Sequence, residues 1–271
     1  MKKLFTLLLV IFAAISINAA VNGTFSNGGT WKVNDQGVLY IQATAIPDFR
    51  WWSSLGVTST APWVSFGDYI KEVQIDGATY IGRCAFASLS NLKRVVIAGV
   101  SQVTIGEHAF NNCSSLTDVD GFQYITRIER GAFWGCPLKN VVLPKVTYLG
   151  SFAFGTRDES NARADVGYGK YTVMITNSTL PTFDNINFLL SDRGARLIVP
   201  ASQKSQVDAL WDADAHDPQT QRMSREFQMQ EICVGGLLNQ NNSRNFWMLR
   251  DNGTLWVNGT MPDYANASDA P

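Results

Sequence analysis

Histidine and cysteine are scarce in this chain, which limits the chemistry that it can perform. Its 271 residues include two histidines, His108 and His216, and four cysteines. No two cysteines have the C-x-x-C spacing of a common zinc site. No G-x-S-x-G, H-E-x-x-H or phosphate-binding glycine loop occurs either. The sequence therefore indicates no nucleophile with its base, no metal site and no cofactor, and it predicts a protein that is not an enzyme.

The chain also lacks an excess of charge of one sign. Lys and Arg total 22, Asp and Glu total 23, and the formal net charge is −1. Nonspecific binding to nucleic acids depends on many Lys and Arg side chains that neutralise phosphates, so we expect no DNA or RNA partner. His216 lies in an acidic segment, residues 212–218, whose oxygen ligands would suit calcium. That segment lacks the glycine and the distal glutamate of a known calcium loop, and we interpret it as a solvated loop.

Long hydrophobic runs are absent beyond the amino terminus. Lys2 and Lys3 precede an apolar stretch over residues 4–17, and Ile17-Asn18-Ala19 resembles a cleavage site, so residues 1–19 are predicted to be a signal peptide. No later stretch approaches the roughly 18 apolar residues of a membrane helix. We expect an exported mature chain without a membrane span, located outside the cell or on its outer surface.

The sequence does contain a six-residue motif that occurs four times between residues 81 and 154, and we call this motif the Ala-Phe phrase. Each copy begins with an aliphatic residue. A second residue follows, which is usually Gly, and then come two variable residues and Ala-Phe. The four phenylalanines are Phe86, Phe110, Phe133 and Phe154, which are 24, 23 and 21 residues apart. This period is typical of proteins built from stacked short units.

A short alternating run follows each of the first three copies. The runs are Leu92–Ile97, Leu116–Val119 and Leu138–Leu143, and their alternate apolar residues predict strands with one buried face. Later pairs such as Val103 and Ile105 are expected to line an opposite wall, with the phenylalanines filling the space between. Stacking neighbours about 4.8 Å apart would then make one continuous core.

The unit I-G-x-x-A-F-x-x-C-x-x-L-x-x-V-x-L-P resembles the BspA-like class of bacterial leucine-rich repeats, most closely over Ile128 to Pro144. Departures occur at Leu89, at Pro137 and at Asp120-Gly121. Because Gly121 replaces an expected inward apolar residue, that rung should be the least regular. The resemblance implies a mainly β leucine-rich-repeat solenoid of short stacked rungs, with a β-rich N-terminal cap and a β/α C-terminal cap. It also implies attachment to the cell surface and adhesion to host matrix proteins or other cells.

The chain divides on this basis into a cap at 20–68, repeats at 69–155, and an insertion loop with a C-terminal cap at 156–235. The first cap should contain a β-hairpin over Trp31 to Ile41. It is also rich in aromatic residues, which would either cover the open end of the core or offer a stacking platform to a carbohydrate or peptide. The platform residues would be Trp51, Trp52 and Trp63.

The tail repeats the pattern of the first cap. Trp247 to Val257 matches Trp31 to Ile41, Met261-Pro262-Asp263-Tyr264 matches Ile46-Pro47-Asp48-Phe49, and Ala270-Pro271 matches Ala61-Pro62. Residues 243–271 are therefore expected to be the truncated start of a second cap and array. The alternative is that they are ordered against the first array as its end cap.

Two kinds of repeat residue could be mistaken for reactive groups. Cys113 and Cys136 share a column with Leu89, so buried free thiols are favoured over a disulfide between adjacent rungs. His108 aligns with Cys84, Gly131 and Phe152, which favours a packing role for the ring over a catalytic one.

The outward side chains of the strands remain as the candidate binding surface, a mixed-charge ladder with basic patches beside an acidic one. A protein ligand, either a host matrix protein or a cell-surface protein, is expected there. A carbohydrate ligand for the tryptophan group is one alternative, and a structural spacer in a longer chain is another. The ladder residues are Lys71, Lys93, Arg94, Asp118, Asp120, Lys139 and Asn140.

Overall fold

The computed structural model describes residues 21–52, 58–155, 172–185, 190–191, 196–215, 231–237, 246–249 and 255–258. The predicted signal peptide and the insertion expected over residues 156–170 lie outside these residues, as does His216. No helix among the described residues is long and apolar enough to cross a membrane.

Most described elements are short strands, which confirms the mainly β expectation. The amino-terminal part contains β1 (Val21–Thr24), β2 (Thr30–Val33), β3 (Val38–Gln42), β4 (Trp51–Trp52) and β5 (Thr58–Ser59). The repeats contain β6 (Glu72–Asp76), β7 (Tyr80–Ile81), β8 (Arg94–Ala98), β9 (Val103–Ile105), β10 (Asp118–Asp120), β11 (Ile125–Ile128), β12 (Phe133–Trp134), β13 (Asn140–Leu143), β14 (Tyr148–Leu149) and β15 (Phe154–Gly155). The remainder contains β16 (Thr172–Ile175), β17 (Thr182–Phe183), β18 (Leu190–Ser191), β19 (Arg196–Val199), α1 (Ala201–Ala215), β20 (Glu231–Leu237), β21 (Phe246–Leu249) and β22 (Leu255–Asn258).

The first wall of the repeats is a parallel ladder that begins on the amino-terminal hairpin. Strands β1, β2 and β3 pair antiparallel, and β3 then pairs in parallel with β6, which pairs with β8 and β10. Leu39, Val73, Val95 and Val119 occupy one row of this register and are buried. The alternation of the sequence therefore places its apolar residues on the inner face.

The second wall consists of β7, β9, β11, β14 and β17, which also pair in parallel. Ile81, Ile105, Ile128 and Leu149 are fully buried in it. A third ladder runs through the Ala-Phe phrase, because the N–H of each Phe donates to the carbonyl of the Ala one rung further along. These N···O distances are 2.7, 2.8 and 2.9 Å for Phe86, Phe110 and Phe133.

The repeating phenylalanines form one column between the walls, as the sequence predicted. Consecutive ring centroids lie 5.0 Å apart for Phe86 and Phe110, 5.2 Å for Phe110 and Phe133, and 5.5 Å for Phe133 and Phe154. The ring planes are within 15° of parallel. Offset stacking of this kind suits the ring quadrupoles, and all four rings are fully buried.

Trp63 continues the column at its amino-terminal end. Its ring stacks on Phe86 with centroids 5.4 Å apart, and its Nε1 donates to the Ala85 carbonyl at 2.9 Å. Phe25, Trp31 and Phe49 contact it edge-on with centroids 5.6–5.9 Å away. Trp63 is therefore surrounded by the hairpin and the first repeat, and no part of its side chain is exposed.

The strand ladder breaks after β10, at the rung that the sequence marked as irregular. β10 ends the first sheet, and β13 begins another that contains β16, β19, β20, β21 and β22. Gly121 has φ +145° and is followed by a 3₁₀ turn over Phe122–Tyr124. The Phe122 ring packs 5.7 Å from Phe133 and supplies apolar contact where Gly121 has no side chain.

The tail extends this second sheet. β19 pairs in parallel with β20, which pairs antiparallel with β21, and β21 with β22. Residues 246–249 and 255–258 therefore continue the sheet that contains β13, β16 and β19. On the outer face of the sheet a second apolar cluster is buried, and it includes Val142, Met174 and Ile198.

A left-handed backbone position recurs in every repeat. Cys84, His108, Gly131 and Phe152 have φ of 55°, 55°, 62° and 56°, which confirms their alignment in the sequence. Only glycine adopts this region without steric cost. At Gly131 space is short as well, since a Cβ would lie 2.5 Å from His108 Cε1 and closer still to Nδ1.

Removing one ring from the column should destabilise the whole array. We expect Phe110→Ala to lower the free energy of unfolding by about 3–5 kcal/mol, because a cavity would remain between two parallel rings. Chemical denaturation followed by circular dichroism measures the loss. Thr117→Ala, an exposed change beside the same rung, is the control and should cost less than about 0.5 kcal/mol. Similar values for the two variants would contradict the role of the column.

The two costs at Gly131 should be separable by a double-mutant cycle. Gly131→Ala adds both backbone strain and contact with the His108 ring, so it should destabilise the protein by more than the roughly 1–2 kcal/mol of the left-handed conformation alone. In a His108→Ala background only the backbone part should remain. Equal losses in the two backgrounds, measured by denaturation, would show that the ring does not confine this position.

Candidate interaction surface

The outer face of the first sheet carries side chains in straight columns, because the strands pair without a shift. One column contains Val38, Glu72, Arg94 and Asp118, and the next contains Tyr40, Gln74, Val96 and Asp120. Repetition of the core thus imposes a regular spacing on residues that do not themselves repeat.

Charges on this face are partly paired. The Arg94 guanidinium lies 3.3 Å from Asp118 and 3.6 Å from Asp120, so the predicted acidic patch and part of the basic patch neutralise each other. All three side chains are 41–56 % exposed, so these pairs contribute little to stability. Lys71 and Lys93 are exposed, adjoin each other through the Lys93 N–H to Lys71 carbonyl bond of 2.8 Å, and form no ion pair with any described residue.

Five of the seven predicted ladder residues lie together and two do not. Lys71, Lys93, Arg94, Asp118 and Asp120 lie on or beside the first sheet. Lys139 and Asn140 are exposed at the start of β13, which belongs to the sheet beyond the break. The break at Gly121 therefore divides the candidate surface, and a role for any of the seven in binding stays a prediction.

A groove occupies the first sheet next to the amino-terminal hairpin. Its volume is about 690 Å³, and residues of the five adjacent strands β1, β2, β3, β6 and β8 line it. Residues of the hairpin and of the first two repeat strands line it together. Lining residues include Asn22, Lys32, Tyr40, Gln74, Val96 and Ala98. Val96 and Ala98 are short and apolar, whereas the Lys32 ammonium lies 5.0 Å from the centre of the Tyr40 ring and marks one rim.

Sequence reasoning missed the hairpin's share of this groove. Lys32 and Tyr40 were assigned only to a cap, because the hairpin lacks the Ala-Phe phrase. The signal was nevertheless present: Leu39 and Ile41 have the same alternation as Val73 and Ile75, and the structure pairs them one to one. Aligning that alternation would have added β3 to the ladder.

The predicted aromatic platform is not supported at Trp63. Its faces already contact Phe86 and the hairpin rings, so it cannot stack on a sugar or a peptide, and the cap interpretation fits it instead. Trp51 and Trp52 form β4, which pairs with β5. Their side chains lie outside the described part of the chain, so a platform built from these two stays a prediction.

The cysteines behave as small core residues. Cys113 Sγ donates to the Phe86 carbonyl at 3.1 Å, and Cys136 Sγ donates to the Phe110 carbonyl at 3.0 Å. All four cysteines are buried and none of them forms a disulfide, in agreement with the favoured interpretation. Burial raises the pKa of Cys136 well above its usual value and that of Cys84 to about 11, so neither thiol is activated as a nucleophile.

His108 is the one histidine among the described residues, and it is buried in the Ala-Phe turn. The Asn111 amide lies 3.2 Å from Nδ1, and Glu107 Oε1 lies 3.7 Å from Nε2. Burial lowers the pKa of His108, while the Glu107 carboxylate opposes that shift and Arg130 adds to it. Within the described ranges, no group of three or more His, Cys, Asp and Glu residues could hold a metal ion.

Comparison with known proteins identifies the repeat segment. A family model described as "BspA type Leucine rich repeat region" matches residues 65–160 in six copies. No curated protein matches the chain.

Two solved structures are similar over 88 % of this chain. A leucine-rich repeat protein from Eubacterium ventriosum is 18 % identical, with a TM-score of 0.46. A leucine rich cell surface protein from Faecalibacterium prausnitzii is 17 % identical, with a TM-score of 0.33. The chain covers 48 % and 61 % of these two proteins, so both are considerably longer than the part that it matches.

The buried imidazole predicts a pH dependence of stability. Because the folded-state pKa of His108 is lowered, the unfolded chain takes up this proton first, near the ordinary value of about 6.5. The contribution of His108 to the free energy of unfolding is therefore complete above that pH. It is lost as the pH falls from about 6.5 through the folded-state pKa of His108. His108→Asn, which tolerates the left-handed backbone, should flatten this part of the stability profile.

Denaturation at pH 7.5, 6.5 and 5.5 measures the effect. Glu107→Gln is the matched control, because removing the carboxylate should lower the His108 pKa further and steepen the loss. Profiles of equal slope in the wild type and in His108→Asn would contradict the assignment.

Proposed function

We propose that the protein is an exported, non-catalytic adhesion module that binds a protein ligand, a function supported by the match of residues 65–160 to the BspA-type leucine-rich repeat region. In this proposal the parallel ladders form a solenoid whose amino-terminal end is closed by the β1–β3 hairpin and Trp63. The predicted signal peptide would carry the chain out of the cell, and the outer face of the first sheet would bind a host matrix or cell-surface protein.

The observation that carries the proposal is the continuity of the first sheet from the hairpin through three repeat strands. Its register places three outward columns of varied side chains on one surface, and the groove lies where hairpin and repeats meet. The groove is apolar at Val96 and Ala98 on β8 and polar at Gln42, Gln74 and Asp76 on β3 and β6, and protein interfaces also combine apolar and polar residues. The adjoining Lys71 and Lys93 supply positive charge for attracting an acidic ligand segment.

The free lysines give the sharpest test of this surface. After mature protein (residues 20–271) has been screened against a panel of host matrix proteins, Lys71→Glu/Lys93→Glu should weaken binding to the best ligand about tenfold or more. The loss should appear mainly in the association rate and should shrink at high salt, since exposed charges steer encounter. Surface plasmon resonance at two salt concentrations measures both effects.

Lys145 and Lys139 provide controls for the double variant. Lys145 is exposed after β13, so Lys145→Glu makes the same kind of charge change away from the face and should leave binding unchanged. Lys139→Glu tests whether the surface extends past the break. If the double variant binds like the wild type while Trp52→Ala abolishes binding on a glycan array, the ligand is a carbohydrate. If neither variant changes anything, the spacer interpretation replaces adhesion.

A further inference from the structure

The last three strands reproduce the pairing of the first three. In the amino-terminal unit, β1 meets β2 with Val21 opposite Val33 and Gly23 opposite Trp31. In the carboxyl-terminal unit, β20 meets β21 with Val234 opposite Leu249 and Gly236 opposite Trp247. The same order of an aliphatic pair and a Gly–Trp pair therefore occurs twice in the same antiparallel register.

The strand pairing in the second hairpin, β2 with β3 in one unit and β21 with β22 in the other, is also the same in the two units. Val33 lies opposite Leu39 and Trp31 opposite Ile41, while Leu249 lies opposite Leu255 and Trp247 opposite Val257. The sequences between the paired strands are also similar, Asn-Asp-Gln-Gly at 34–37 and Arg-Asp-Asn-Gly at 250–253. The sequence similarity of these segments is thus matched by residue-for-residue strand pairing.

The two units also place the indole in the same way. A Cβ added to Gly23 would lie 2.7 Å from Trp31 Nε1, and one added to Gly236 would lie 3.2 Å from Trp247 Nε1. In both units the tryptophan side chain lies over the glycine on the neighbouring strand, so a larger residue would clash with it at Gly23 and be crowded by it at Gly236. Two unrelated hairpins would have no reason to share this placement of an indole over a glycine.

The units differ in what covers their core faces. Val33 and Leu39 are 0 % exposed, whereas their counterparts Leu249 and Leu255 are 42 % and 60 % exposed. In the amino-terminal unit β3 pairs in parallel with β6, and Leu39 lies opposite Val73 in the first repeat rung. β22 is the last strand of its sheet. Among the described residues, no rung therefore adjoins its core face, whereas its counterpart β3 has one.

We propose that β20–β22 is an inter-array junction, whose outer strand β22 pairs in parallel with the first rung of a second BspA-type repeat array on the same polypeptide. The occupant has the chemistry of β6, a five-residue strand whose second and fourth residues are β-branched and face inward. Those two residues cover Leu255 and Val257, as Val73 and Ile75 cover Leu39 and Ile41.

Two other occupants fit less well. A unit that only terminated the first array would need a polar cover at its last strands, but Leu249 and Leu255 are exposed there. A second copy of this chain has no equivalent rung to offer, because its β6 already lies between β3 and β8. The junction instead serves both sides: β20 continues the first array through β19, and β22 starts the next one.

The test extends the chain by one array. A second copy of residues 63–258 is added directly after Pro271, because Ala270-Pro271 aligns with Ala61-Pro62, after which Trp63 follows. Hydrogen exchange with mass spectrometry then follows the amides of residues 255–258 in the original and in the extended protein. We expect exchange to slow at least about tenfold in the extended protein, because the edge strand gains a parallel partner.

The matched control carries Val73→Asp and Ile75→Asp in the added copy only, and it should return exchange to the level of the original chain. Leu255→Asp should lower the melting temperature of the extended protein and leave that of the original chain nearly unchanged.

If circular dichroism shows that the added array is folded and exchange at residues 255–258 is still not slowed, the proposal is overturned. Slow exchange in the original chain would also overturn the proposal. If the exchange rate then depended on protein concentration, the occupant would be a second copy of the chain. If it did not, the occupant would be the chain's own last residues. Ligand binding by the first sheet is not involved in any of these outcomes.

Discussion

The register of the parallel strands is the constraint on which the rest of the structure depends. Because Ile81, Ile105, Ile128 and Leu149 stay aligned across the parallel strands, one phenylalanine lies over the next at 5.0–5.5 Å, close to the spacing of the strands themselves. A slip by one residue would turn every inward side chain outward. The ring column and the backbone ladders therefore reinforce each other: hydrogen bonds set the spacing, and offset ring contacts favour the same spacing.

This constraint explains which features could be predicted from the sequence. Phe86, Phe110, Phe133 and Phe154, the two walls and the irregular rung at Gly121 follow from a period and an alternation, which are properties of consecutive residues. The cap role of Trp63 was only one of two interpretations, because stacking on Phe86 becomes evident only when Trp63 is seen to occupy the position before the first Ala-Phe phrase.

The candidate surface was predicted less completely for a physical reason. Outward residues do not repeat, so no period marks them, and their neighbours are set by strand pairing between segments far apart in the chain. Lys32 and Tyr40 enter the face through β3, and Lys139 and Asn140 leave the first sheet because the ladder breaks before β13. Val142 points outward as expected, yet it is buried in the second apolar cluster. The alternation predicts which face a side chain is on, but it does not predict what covers that face.

The column of rings also limits changes in the length of the molecule during evolution to whole repeats. Every interface between rungs uses the same ring contact and the same backbone ladders, so duplication of one whole repeat reproduces an interface that is already stable. Each added repeat lengthens the molecule by roughly the centroid spacing, 5.0–5.5 Å. Gain or loss of whole repeats thus changes the reach of the protein in fixed steps, whereas insertion of a single residue within a rung would disrupt the alignment of both walls.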